Sequence, residues 1–210
     1  MNSALQPRCG VLLAGGASTR FGGAAKGLIP LGDSRVADGP LRALATVCGN
    51  VMIAANDPAA ESWFPGRSVI RDRVAGLGAL GALETALLAS TGHSVVVCAW
   101  DMPFVSAAVL SKLAEVVDAG ATCCVPMHAD GQLEPLCAAY ATRCGRVASE
   151  LLASGERAAH ALIDAVGGST WPIDGTLSAA DAERTFFNVN THADLLRAAS
   201  WTLLSSDHSA

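Results

Sequence analysis

Short apolar runs set the rhythm of this chain. VLLA at residues 11–14, VMIAA at 51–55, SVIR at 68–71 and SVVVCA at 94–99 are rich in β-branched residues and bounded by Gly, Asn or Asp. Runs of this kind mark strands buried on both faces, which show no polar alternation. Longer stretches between and after them, about 40–48, 78–90 and 106–119, read as helices. In the last, Val109, Leu113, Val116 and Val117 recur at helical spacing. The alternation predicts a three-layer α/β/α, Rossmann-like fold with a mainly parallel central sheet. Ligands of such sheets bind beyond the carboxyl ends of the strands.

The second half is less regular. ATCCVPM (121–127) and LEPLCAAY (133–140) read as two strands around a turn that carries Asp-Gly, and a helix-rich section follows at about 142–166. GGSTWPIDG reads as surface loop and TFFNVN (185–190) as a last strand. THADLLRAAS reads as a helix capped by Thr191, with Asp194 three residues on. No linker divides the chain, so residues 1–210 are expected to form a single domain.

Composition narrows the function classes. Hydrophobic residues make up 51% of the 210 and charged residues 16%, enough for a sizeable core and against wholesale disorder. The formal net charge of −5 argues against a general nucleic-acid binder, though a few local cations and backbone amides suffice for one nucleotide. The seven cysteines are scattered, without any C-x-x-C pair, which suits small core residues in a reducing compartment rather than zinc or disulfides. Neither a signal peptide nor an apolar run of membrane-spanning length is visible, so a soluble cytoplasmic protein is expected.

Candidate chemistry begins where the first strand ends, in GGASTRFGGAAKG. This is not a Walker loop, because Lys26 follows Ala25 and precedes Gly27, and it lacks the G-x-G-x-x-G spacing of dinucleotide folds. What remains is a long loop whose glycines bare backbone N–H groups to an anion, with Arg20 and Lys26 supplying charge. Asp101, in CAWDMPF, falls at the carboxyl end of the fourth strand. Spacing alone leaves it open between a Mg²⁺ ligand and a cap for the helix near Ser106. Asn56 and Asp72 also end strands, and taken alone read as turn residues or caps. In NVNT, a strand would turn Asn188 and Asn190 to one face, offering paired amides to a polar heterocycle; turn-forming asparagines are the alternative.

LLAGGASTRFGGAAKG resembles the L-A-G-G-x-S-x-R-x-G-x-x-K signature of nucleotidyltransferases with a glycosyltransferase-A-like fold. Within that superfamily, DMPF, DGQLEPL, GERA and NVNT with the acidic residue and Leu that follow resemble the molybdenum cofactor guanylyltransferases. The match runs from Leu12 to about Leu196, with Ala25, Trp100 and His192 departing from the usual pattern. The resemblance implies transfer of GMP from GTP to molybdopterin, with Mg²⁺ as cofactor. It implies catalytic roles for Lys26, Arg20 and Asp101, with Asp101 as the metal ligand. It places Leu13, Ala14, Gly15, Gly16, Lys26, Asn56, Asp72 and Asp101 at GTP, and Asn188 and Asn190 at molybdopterin. The N-terminal half then handles GTP and the C-terminal half molybdopterin or molybdenum-loaded molybdopterin. Molybdenum cofactor delivery proteins are further candidate partners; nucleic acid and membrane are not. Glu134 and Arg157 are candidates for the acceptor pocket and a substrate phosphate. Two alternatives stay open: a related enzyme using CTP or a sugar-phosphate acceptor, and a catalytically silent nucleotide-binding module.

Overall fold

A computed structural model describes residues 8–15 and 25–206. Its centre is a sheet in the order β5-β4-β1-β6-β8-β7-β9. The strands are β1 (Arg8–Leu13), β4 (Asn50–Ala54), β5 (Val69–Ile70), β6 (Ser94–Ala99), β7 (Cys123–Met127), β8 (Cys137–Ala141) and β9 (Ser169–Pro172). Every neighbouring pair is parallel except those made by β8, which runs against both β6 and β7. The mainly parallel α/β sheet expected from the pattern is therefore present. Val95, Val96, Val97 and Cys98 of β6 are fully buried, because this strand lies near the middle of the sheet with helices on either side.

Helices α1 (Asp38–Val47) and α4 (Ala107–Asp118) pack on each other and on one sheet face. The α3 helix (Gly78–Ala89) packs on β4, β5 and β6, with α5 (Cys144–Ala153) and α6 (Ala159–Ala165) outside it. Sandwiched between sheet and helix, α3 buries Leu80, Leu83, Ala86 and Leu87 and carries almost no polar face. In α4 the buried positions Val109, Leu110, Leu113, Ala114 and Val117 follow the helical period, and Ser106 caps its first turn by accepting from Val109 N at 3.2 Å. All seven cysteines are buried and free, as small core residues.

The remaining elements lie around the site. The short 3₁₀ turn Lys26–Leu28 leads into a hairpin of β2 (Pro30–Leu31) and β3 (Ser34–Arg35). The short helices α2 (Ala60–Trp63) and α7 (Ala179–Thr185) and the C-terminal α8 (His192–Ser206) complete the elements. Leu31 and Val36 of the hairpin region join Val189 and Ala198 in a second, small apolar cluster that holds α8 against the hairpin.

Two expectations are corrected. GGSTWPIDG is not a loop, since Ser169–Pro172 forms the edge strand β9, parallel to β7. Its half-exposed alternation and terminal proline are what an edge tolerates. TFFNVN is not a strand: α7 runs through Thr185, and Val189 donates its N–H to the Asp101 carbonyl at 2.9 Å rather than to a ladder neighbour.

Candidate active site

The carboxyl ends of β1, β4 and β6 open onto one cavity of about 460 Å³. The parallel register places Leu13 opposite both Ala54 and Ala99, so the three strands end level. The ladder then continues past the strand ends: Ala14 N donates to Ala54 O at 2.8 Å, and Trp100 N to Leu13 O at 3.2 Å. Leu13, Gly15, Lys26, Asn56, Asp72 and Asp101 all line the cavity. Ala14 is buried and is not among the residues that line it. Gly16 and Arg20 lie outside the described residues.

Asn56 and Asp72 hold each other. Asn56 Nδ2 donates to Asp72 Oδ2 at 2.7 Å, and Asp72 N donates to Asn56 Oδ1 at 2.9 Å. The other carboxylate oxygen of Asp72 accepts from Thr85 Oγ1 on α3 at 2.9 Å. A carboxylate held by two such bonds, on a backbone that bonds its partner in turn, has little rotamer freedom left to lose when a ligand arrives. Thr85 was not visible as a site residue in sequence, because an ordinary helical threonine carries no motif.

Opposite them, the Lys26 ammonium donates to Asp101 Oδ2 and, at 2.9 Å, to Asn190 Oδ1. The Lys26 and Asp101 side chains are only 14% and 12% exposed, so their attraction is poorly screened by solvent. Two glycines permit this convergence by close approach. A Cβ on Gly27 would stand 2.3 Å from Cε3 of Trp100, so the turn lies directly on the indole, which in turn stacks on Trp63 at 5.3 Å. A Cβ on Gly39, in the first turn of α1, would meet the Pro103 carbonyl oxygen at 1.9 Å, just past Asp101. Trp100, which departs from the pattern of the resembled family, is thus the floor beneath the lysine turn.

The two asparagines part company. Asn190 reaches Lys26, whereas Asn188 Nδ2 donates to Phe186 O at 3.0 Å. They do not share a strand face, because the segment that carries them is not a strand. Glu134 pairs with His128 at 3.0 Å, and the His128 ring meets Phe186 edge-on. Burial pushes the Glu134 carboxyl up and the nearby Asp101 charge pushes the same way, while His128 holds it back. Arg157 turns back to the end of α5, donating to Leu152 O at 3.0 Å.

A second cavity of about 470 Å³ borders Arg73, Leu77 and Glu84 on α3 and its approach. It contains none of Lys26, Asn56, Asp72 or Asp101, so convergent polar chemistry, not size, selects the strand-end cavity. Among the described residues there is no group of three or more His, Cys, Asp or Glu side chains able to enclose a metal. Asp101 and Asp72 both bring carboxylate oxygens to the cavity, the donor type that suits Mg²⁺ shared with phosphate oxygens, and Asp101 is the one beside Lys26.

A family model described as a MobA-like NTP transferase domain matches residues 10–169. The chain belongs to that family. Among curated relatives, a probable molybdenum cofactor guanylyltransferase of Thermococcus gammatolerans is 34% identical over 190 residues, covering 89% of this chain and 96% of the relative. A molybdenum cofactor guanylyltransferase of Desulfosudis oleivorans is 29% identical over 191 residues, covering 90% and 93%. The crystal structure of molybdopterin-guanine dinucleotide biosynthesis protein A from Archaeoglobus fulgidus superposes with a TM-score of 0.78 at 26% identity, covering 94% of this chain and 99% of that one. This MobA-like chain is accordingly a nucleotidyltransferase, and its strand-end cavity lies where the fold class places ligands. No helix of the described residues is long and apolar enough to cross a membrane.

Proposed function

We propose that this MobA-like protein transfers GMP from GTP to the terminal phosphate of molybdopterin, or of its molybdenum-loaded form, releasing pyrophosphate. The observation that carries the reading is the meeting of Lys26, Asp101 and Asn190 at one edge of a cavity whose other edge is the Asn56–Asp72 pair. The arrangement gives one chain a transfer point built on a lysine ammonium between two polar recognition walls. The N-terminal half supplies the nucleotide wall and the C-terminal half, through Asn190 and the Phe186–Asn188 segment, the acceptor side.

Asn56 and Asp72 receive the ribose-and-base end of GTP, and Leu13 to Gly16 carry the backbone along which the nucleotide lies. Lys26 and Arg20 offset charge as it develops on the phosphates. An oxygen of the acceptor phosphate attacks the α-phosphorus, the bond from that phosphorus to the bridging oxygen breaks, and pyrophosphate departs. The attacking group is already an anion, so positioning and charge stabilisation carry the rate rather than a strong base. Asp101 would hold Mg²⁺, which supplies Lewis-acid charge neutralisation on the phosphate oxygens when bound.

The test is pyrophosphate release with Mg²⁺ and molybdopterin, supplying GTP, CTP and ATP separately. Release with GTP alone is expected, with a loss of roughly 10²–10³-fold in kcat for Lys26→Ala or Asp101→Ala in a folded protein. Release with CTP instead would overturn the base specificity. Binding of GTP with no release would favour the silent nucleotide-binding module.

A further inference from the structure

Lysine is a long, freely rotating side chain, and Lys26 is asked to hold its ammonium at one point of a cavity wall. Asp101 alone cannot secure it through a reaction in which that carboxylate is also called on for the metal. The second acceptor, Asn190 Oδ1 at 2.9 Å, is neutral. A second carboxylate in its place would orient the ammonium but add a further negative charge where phosphate must approach. An amide orients without neutralising.

Asn190 must itself be fixed for this to work, and it is exposed on its own account. Its backbone is gripped on both sides. Before it, Val189 is fully buried in the small cluster beneath α8 and hangs by its N–H from the Asp101 carbonyl at 2.9 Å. From the other side, Asp194 Oδ2 accepts from Asn190 N at 3.0 Å and from Thr191 N at 2.7 Å. The reciprocal bond of the cap, Asp194 N to Thr191 Oγ1, measures 3.1 Å. A capping carboxylate ordinarily serves the helix it starts. Here one of its two bonds reaches past the N-cap to the residue that orients the lysine.

We propose that Asp194 is a positioning residue for Lys26, acting through Asn190, so that the start of α8 sets the geometry of the transfer point. The inference rests on the reading of Lys26 as catalytic. Removing the Asp194 carboxylate leaves the nucleotide walls intact, since Asn56, Asp72 and Thr85 are held on other elements. The signature is therefore a fall in kcat with KM for GTP unmoved.

The experiment compares Asp194→Ala with Thr191→Ala in the full chain, measuring kcat, KM for GTP and Tm. Both variants weaken the cap and lower Tm by about 1–8 °C, but only Asp194→Ala releases Asn190 N. We expect kcat to fall about 10- to 100-fold in Asp194→Ala with KM within about twofold. Thr191→Ala keeps the wild-type kcat, and Asp194→Asn, which retains an acceptor oxygen, recovers most of the loss. Asn190→Ala and the double variant with Asp194→Ala should share one kcat, since both sever the same link. Equal kcat in Asp194→Ala and Thr191→Ala would overturn the inference, as would a double variant slower than Asn190→Ala. Lys26→Ala, run alongside, separates the two failures: full activity there sinks the catalytic reading itself.

Discussion

The close contact beneath Lys26 makes Gly27→Ala a sharp probe of the site. The new methyl carbon would stand 2.3 Å from Cε3 and 2.5 Å from Cδ2 of Trp100. Carbon atoms rest at about 3.5–4.0 Å, so the turn and the indole must separate by roughly 1.2–1.7 Å. Trp100 has little room to yield, being 2% exposed and stacked on Trp63. Gly27 is tied from its other end, its carbonyl accepting from Ala37 N at 2.9 Å. Overpacking of this kind costs about 1–3 kcal/mol, which for a domain of this size lowers Tm by about 2–12 °C. The displaced turn carries Lys26 with it, and a misplacement near 1 Å costs on the order of 10²-fold in rate. Pyrophosphate release and thermal unfolding read both effects. Gly49→Ala is the control, since a Cβ there meets nothing within 4 Å. Wild-type kcat and Tm in Gly27→Ala would refute the packing argument; a lowered Tm with intact kcat would show that the turn does not set the lysine.

Two further outcomes are expected. Asp72→Ala removes the acceptor of both Asn56 and Thr85 and should raise KM for GTP about 10-fold or more while kcat at saturation stays within about threefold, as expected for lost ground-state binding; steady-state kinetics with varied GTP reads this. In Asp194, partial burial pushes the carboxyl up, but the N–H bonds from Asn190 and Thr191, the Thr191 hydroxyl and the Arg197 charge together bring it below the usual range. A carboxyl lowered on folding adds stability that is present above its unfolded pKa of about 3.9 and is lost as pH falls through the folded value. Acid titration of Tm should therefore fall less steeply below about pH 4 in Asp194→Asn than in the wild type; parallel curves would show that the cap carboxylate is not linked to folding.

The central strands were legible because burial on both faces writes an uninterrupted apolar run, as in SVVVCA, and the strand-end place of Asp101 was legible because it stands just past such a run. The capping box at Thr191 and Asp194 was equally plain, being local chemistry. Edge and long-range features were not. Ser169–Pro172 buries too little to write a strand pattern, and its glycine and proline neighbours read as loop. TFFNVN has strand-like composition, yet Val189 finds its partner in the Asp101 backbone, a choice that only tertiary packing makes. The Lys26–Asn190 bond, the Thr85 support of Asp72 and the packing of Gly27 on Trp100 are contacts between distant positions, which no spacing rule encodes. The shared face that alternation gave Asn188 and Asn190 went with the strand, and Asn188 turns to the Phe186 carbonyl instead.

The hydrogen bond between Lys26 and Asn190 spans 164 positions. A ribosome adding about 5–20 residues per second needs roughly 8–33 s to cover that interval. During synthesis, β1, β4 and β6 can pair, and the Asn56–Asp72 wall can form, well before the partner of the lysine exists. On the proposed function, the nucleotide wall can thus form early in the life of a nascent chain, whereas the transfer point waits for the segment that leads into α8.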